Sequence, residues 1–327
     1  MFPLVRIDER ELPPDFSGLV VTCDVDKTWL DTDFHGVGGL LRIPLEWATD
    51  KRTVAGMATV LRELRFGAGP RSAQTPLYFL TASPPQLSRV LFRKMLIDGV
   101  EADGMTCKDW GRILATHRRP AWLRRQIAYK LCGLLNRRKL LPAAAREILI
   151  GDDVESDADA YALYADLIAG RVAPDELTRI LSRHGCDRDE RNFVREALTA
   201  VPAHAGRVET IYILLAAGGE PASFDSFGPT LVPCCDALQL ALHLAATGRV
   251  RAKAVVETAR DLSLRAGLDP QAAAAHIADL VARGDVGATA ARALHAALAA
   301  ASLADPPPAS YGRPRRRAKS RRVHPPM

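Results

Sequence analysis

Short apolar runs alternate with stretches of helical spacing along this chain, and no other feature restricts its fold as strongly. The runs are Leu19-Val20-Val21, Leu77-Tyr78-Phe79-Leu80, Ile148-Leu149-Ile150 and the stretch 208–215. They are too short for helices and rich in β-branched and aromatic residues, which predicts strands. A further short strand is predicted around Met105. Between them, residues 53–64 place Val54, Met57, Val60, Leu61 and Leu64 at helical intervals. Residues 85–98, closed by Gly99, and residues 123–136 and 160–169 also read as helices. Strands that alternate with helices build a parallel sheet sandwiched between helical layers. In such sheets the chemistry gathers at the carboxyl ends of the strands.

Polar groups stand at those ends. The first strand runs into Cys23, Asp24, Val25, Asp26, Lys27 and Thr28. Two carboxylates two residues apart repel each other unless a cation or a proton lies between them. The pair reads as a metal-holding catalytic motif, or as a strand entering an Asp-rich turn. The second strand runs into Thr81-Ala82-Ser83-Pro84, and a later one into Gly151-Asp152-Asp153-Val154-Glu155-Ser156-Asp157. Lys130 falls in the middle of a predicted helix. A carboxylate pair, a hydroxyl, an ammonium and a second acidic cluster are what phosphoryl transfer needs, namely positioning and charge neutralisation around an anionic centre.

Composition narrows the classes. No apolar run reaches the roughly eighteen residues of a membrane helix. The start, MFPLVRIDERELPPD, is too polar for a secretory signal, so a cytoplasmic protein is expected, peripheral at a membrane if its substrate is a lipid. The six cysteines form no C-x-x-C pair, which argues against a zinc site or a disulfide framework. Adjacent Cys234 and Cys235 read as buried thiols. The net charge of +6 is local: seven of the 44 basic residues follow Asp305, leaving 37 basic against 37 acidic residues before it. The basic run 313–322 offers non-specific electrostatic contact with anions. Beyond Gly219, residues 237–246, 253–266 and 270–301 are Ala/Leu-rich and predict helices without a catalytic constellation.

The motifs resemble, in order, those of the haloacid dehalogenase superfamily of phosphatases. Within it they are similar to the phosphatidate phosphatases of the actin-patch type. The stretches that carry the resemblance are Asp24-Val25-Asp26-Lys27-Thr28, Phe79-Leu80-Thr81-Ala82-Ser83-Pro84 with Gln86-Leu87, Lys108-Asp109-Trp110, Ile148-Leu149-Ile150-Gly151-Asp152-Asp153 with Asp157 and Tyr161, and Arg207-Val208 before Ile211-Tyr212-Ile213.

The resemblance implies an α/β, Rossmann-like three-layer sandwich with a parallel sheet, and the gap between Thr28 and Thr53, too short for a large cap domain, implies a minimal cap. An α-helical extension would follow it at the C-terminus. The expected division is a leader over 1–17, a phosphatase domain over 18–218 with a helical insertion at 171–205, the extension over 219–304 and a disordered basic tail over 305–327. It implies a Mg²⁺-dependent hydrolase of phosphomonoesters that works through an aspartyl-phosphate.

Asp24 would be the nucleophile and Asp26 the acid and base. Thr81, with Ala82 and Ser83, would hold the phosphoryl group, and Lys130 would neutralise charge, ahead of Lys139. Asp24, Asp26, Asp152 and Asp157 would serve the metal, with Asp153 the alternative for the second acidic role. A phosphatidate-like lipid is the expected substrate; a protein, nucleotide or nucleic-acid phosphate is the alternative, and a non-catalytic binding or scaffold protein is the rival outside enzymes. One position departs from the pattern: where the family usually has an acid directly after the catalytic pair, this chain has Lys27. His35 could approach the substrate or be a solvated loop residue. Asp109 and Trp110 could line the mouth of the site or, for Trp110, pack in the core. Lys108 is expected in a loop.

Overall fold

The computed structural model describes residues 2–7, 10–31, 51–117, 126–202 and 206–312. The loop expected over 33–50 with His35, the first turn of the helix expected over 123–136, and the basic run 313–322 lie outside the described residues.

Among the described residues, seven strands form one sheet in the order β1-β4-β3-β2-β5-β6-β7. They are β1 (Leu4–Ile7), β2 (Leu19–Asp24), β3 (Leu77–Thr81), β4 (Gly104–Lys108), β5 (Arg146–Asp152), β6 (Arg207–Leu214) and β7 (Leu231–Cys234). All neighbours run parallel except β1, which is antiparallel to β4 with Leu4 opposite Lys108.

Two of these strands differ from expectation. Residues 4–7, taken as irregular leader, form β1 and cover the β4 edge, which would otherwise present unpaired backbone groups. Phe2 is buried beside them, edge-on to Phe193 with ring centroids 5.9 Å apart. β7 lies in the region expected to be helical. Its four residues include Pro233, a weak strand signal, and Pro is tolerated here because β7 is an edge strand.

Among the described residues, the α-helices are α1 (Met57–Phe66), α2 (Ser88–Ile97), α3 (Trp110–His117), α4 (Ile127–Arg138), α5 (Asp157–Ile168), α6 (Pro174–Arg183), α7 (Arg188–Thr199), α8 (Ala237–Ala246), α9 (Ala252–Ala266), α10 (Pro270–Arg283) and α11 (Ala288–Ala300). The stretch read as continuous over 270–301 breaks at Gly284, whose φ of +80° ends α10 in a left-handed cap.

Strand alternation divides the core between the two faces of the sheet. Val21, Cys23, Ile148, Ile150, Tyr212 and Leu214 join α1, α2 and α8 to α11 in one apolar cluster. Leu149, Ile211 and Ile213, of opposite parity, join α4 to α7 in the other. The Ala-rich C-terminal helices therefore share one core with the first half of the chain.

The segment after α11, expected to lack structure from 305 onward, lies against that helix as far as Tyr311. The Tyr311 hydroxyl bonds His295 Nδ1 at 2.6 Å, and His295 Nε2 bonds the Asp305 carbonyl at 2.8 Å. Cys234 is buried as expected, whereas Cys235 is exposed. No helix among the described residues is long and apolar enough to cross a membrane.

Candidate active site

β2 is central in the sheet, with β3 on one side and β5 on the other. Asp24, its last residue, is level with Leu80 on β3, and Cys23 is level with Ile150 on β5. Thr81 and Asp152 therefore end their strands one residue beyond Asp24, on the same carboxyl edge. This is where an open α/β sheet forms its crevice.

The loop after β2 turns back at once. The Trp29 and Leu30 amides both donate to the Val25 carbonyl, at 3.0 and 2.8 Å, and the Lys27 amide donates to Leu30 O at 2.7 Å. Lys27 makes the turn with a φ of +58°, in the left-handed region. Its ammonium pairs with Asp31 at 3.1 Å. The charge that departs from the family pattern is thus directed along the loop to Asp31.

α4 delivers the ammonium. A Cβ on Gly133 would lie 2.7 Å from Leu80 Cδ1, so this glycine lets α4 settle closely on β3. Lys130, one turn earlier on the same helix, is completely buried. Its Nζ lies 3.3 Å from Asp24 Oδ1 and 2.8 Å from Glu155 Oε2, and it makes a short contact with Asp157. Burial works against the Lys130 charge, but Asp157, Asp24 and Glu155 outweigh it and hold the ammonium above its ordinary value. Lys139, the alternative, is exposed at the end of α4.

Around Lys130 the carboxylates crowd. The Asp152 Oδ1 accepts the Val154 and Glu155 amides at 2.7 and 3.2 Å, and its Oδ2 accepts the Thr28 hydroxyl at 3.1 Å. The Asp157 Oδ2 accepts the Asp152 amide at 3.2 Å. Gly151 makes room for this: a Cβ there would lie 2.7 Å from that of Asp157. Asp26 and Thr81 meet on the other side, where the Thr81 hydroxyl donates to Asp26 Oδ2 at 3.3 Å and accepts the Ser83 amide at 3.0 Å. Asp153 turns away and accepts the Ala217 and Gly219 amides at 2.6 and 3.0 Å, tying the β5 exit to the β6 exit. The Trp110 indole donates to the Ala82 carbonyl at 2.6 Å, which fastens the Thr81–Ser83 turn to the start of α3.

Burial raises Asp24, Asp152 and Asp157 above the usual carboxylate range, and Lys130 offsets this only in part. Asp24, Asp152 and Asp157 each offer an oxygen, all within 4.8 Å of one another. The Asp24 Oδ2 is buried and has no hydrogen-bond partner among the described residues. An all-oxygen donor set with an excess of negative charge and one open carboxylate oxygen fits a metal ion.

Residues 19–174 match the family model of the catalytic domain of phosphatidate phosphatase APP1. No curated protein and no solved structure matches the chain. The matched segment carries Asp24, Asp26, Thr28, Thr81, Lys130, Asp152, Glu155 and Asp157, and the APP1 family is of the haloacid dehalogenase type, in agreement with the motif resemblance.

Sequence reasoning did not single out Glu155, which pairs with Lys130, because it stands unspaced in an acidic run. Thr28 was visible as the end of the Asp-x-Asp-x-Thr motif. Lys108, expected in a loop, is instead the completely buried last residue of β4, 5.2 Å from the Tyr129 ring centroid. Burial pushes its ammonium down to about 8. The hydroxyls of Tyr129 and Tyr161, behind the cluster, are buried without a hydrogen-bond partner among the described residues; no periodicity in the sequence marks them.

Proposed function

We propose that the segment 19–174 hydrolyses a phosphomonoester through an aspartyl-phosphate on Asp24, on an HAD-like three-layer body with a minimal cap. The observation that carries this reading is the convergence of Asp24, Asp26, Thr81, Lys130, Asp152 and Asp157 on one strand edge. In the first step an Asp24 oxygen attacks phosphorus, the bond from phosphorus to the leaving oxygen breaks, and Asp26 gives that oxygen a proton. In the second step Asp26 takes a proton from water, the water oxygen attacks phosphorus, and the bond to Asp24 breaks to release phosphate. Thr81, placed by its hydrogen bond to Asp26, holds a phosphoryl oxygen together with the Ala82-Ser83 backbone. Lys130 draws Asp24 toward its ionised form and neutralises charge beside it.

Asp24, Asp152 and Asp157, with Asp26, are the residues that would hold Mg²⁺. Mg²⁺, when bound, supplies positive charge to the phosphoryl oxygens and restores the ionised form of the carboxylates.

A phosphatidate-like lipid is the proposed substrate, supported by the APP1 match. The expected result is Mg²⁺-dependent phosphate release from an aryl phosphate that Asp24→Asn abolishes; undiminished activity in that variant removes the mechanism. A panel of phosphatidate in mixed micelles, nucleotides and phosphopeptides decides the substrate, with phosphatidate expected to give the highest kcat/KM.

A further inference from the structure

The C-terminal helices α8 to α11 lie outside the matched segment, and the chemistry above gives them no part. They nevertheless touch the catalytic loop through one relay. α1 starts without a cap of its own: its N-cap is Gly56, at φ +81°, and its first turn holds no acid. The open amide at that end is satisfied from α9, where Asp261 Oδ2 accepts the Gly56 N–H at 2.7 Å. A carboxylate at a helix N-terminus is favourable for both the hydrogen bond and the dipole. A Cβ on Gly56 would lie 2.7 Å from Ala237 Cβ on α8 and 2.9 Å from Thr258 Cγ2 on α9, so the two helices press directly on this residue.

Arg265, one turn after Asp261, pairs with it at 3.3 Å and donates to the Thr53 carbonyl at 2.6 Å. The Thr53 hydroxyl donates to Asp98 Oδ2 at 2.7 Å, an oxygen shared with the Trp29 indole at 3.2 Å. Residues 52–54 are in turn bonded to the loop that carries Asp26 and Thr28. The Asp31 amide donates to Arg52 O and the Val54 amide to Trp29 O, each at 2.9 Å, and Leu30 bridges Thr53. From α9 to Trp29 and Leu30 the path is continuous, and Trp29 and Leu30 close the turn that holds Asp26 and Thr28 in place.

We infer that Asp261 and Arg265 are positioning residues for phosphoryl transfer: the C-terminal helices hold residues 53–56, and through them the loop after Asp24, in the geometry the reaction needs. The inference rests on the phosphatase reading of the site. Its force comes from the steep dependence of such reactions on the placement of the reacting groups. A second contact between the same two helices supplies the control. At the other end of α9, Arg251 grips Glu63 at 2.7 and 3.0 Å and stacks on Phe66, both on α1 and neither part of the relay to the catalytic loop.

The experiment compares full-length wild type with Asp261→Ala, Arg265→Ala, Arg265→Lys and Arg251→Ala. It measures kcat and KM on an aryl phosphate with Mg²⁺, the melting temperature, and amide exchange at Asp31 and Val54. Asp261→Ala and Arg265→Ala should lower kcat roughly tenfold with KM near wild type. They should speed exchange at Asp31 and Val54 while α11 keeps its protection, and Arg265→Lys should recover part of kcat. Arg251→Ala should lower the melting temperature and leave kcat unchanged.

Wild-type kcat in Arg265→Ala, or an equal loss in Arg251→Ala, overturns the positioning role. If the wild type releases phosphate from no phosphomonoester, the phosphatase reading falls and takes this inference with it. If the wild type is active and Asp24→Asn is not, while Arg265→Ala turns over normally, only the positioning role falls.

Discussion

Among the described residues, Lys130 is the ammonium that contacts Asp24, Glu155 and Asp157 together, and it is completely buried. Replacing it with methionine keeps the length of the side chain and removes the charge. Lys130→Met should reduce kcat by about 10²-fold or more, the scale seen when a preorganised charge beside a reacting group is lost. Steady-state phosphate release measures this, and a value close to wild type removes Lys130 from the reaction. Gly151 offers a second test at this scale. An added methyl would press on the Cβ of Asp157, and neither β5 nor the first turn of α5 can move without disturbing Asp152. Gly151→Ala should cost about 1–3 kcal/mol of stability in a denaturant titration, as overpacking does, and should lower activity with it. Lys27 is different. Its partner is Asp31 on the loop, and an ion pair that is partly exposed contributes little.

At the scale of elements, α4, β5 and α5 are locked by a buried ion pair below the site. Arg138 and Glu147 are both completely buried and lie 3.1 Å apart, and the Tyr164 hydroxyl donates to Glu147 at 2.8 Å. Arg138 also donates to the carbonyls of Ala145 and Leu141, each at 3.2 Å, and to that of Pro142. Removing one partner strands the other charge away from water. Arg138→Ala should destabilise the protein by about 3–5 kcal/mol. The double variant Arg138→Leu with Glu147→Leu should recover most of that loss in urea titrations. If the double variant is as unstable as the single one, the backbone contacts of Arg138, rather than its charge, hold the three elements together.

The whole molecule couples its charge to its stability. Burial raises the pKa of Asp24, of Asp152 and of Asp157, the last to about 7. The folded chain then holds protons that the unfolded chain releases at lower pH, so folding is favoured below the ordinary carboxylate range and loses that advantage as pH rises toward 7. In a chelator, the melting temperature should fall between pH 5 and pH 8, and added Mg²⁺ should restore it at the upper end. A melting temperature that is flat across this range, with and without Mg²⁺, contradicts the burial of uncompensated carboxylates. The shared core makes a second demand. Val21, Cys23 and the inner face of α1 pack in the same cluster as Leu238, Leu242, Val255 and Ile277. A chain truncated after residue 218 exposes that face of the sheet and should be recovered insoluble or unfolded by circular dichroism.

Local pattern carried a good part of this. The strands that end in Asp24, Thr81 and Asp152 are legible because apolar runs of that length have one stable use in an alternating chain, and because a parallel sheet sends its carboxyl ends to one edge. Local pattern placed Lys130 within a helix, and only the family resemblance pointed it toward Asp24. Glu155 and Lys108 were not legible, since their meaning depends on what α4 buries when it closes on β3. β1 and β7 escaped notice because four-residue edge strands take their identity from the neighbour they pair with. Asp261 and Arg265 read as ordinary helix-surface charges. Only the packing of α9 against residues 53–56, more than two hundred positions earlier in the chain, turns them into a cap for α1 and a hold on the catalytic loop. Periodicity records what a residue does within its own element, whereas contacts between distant elements follow from shape and burial in the finished core.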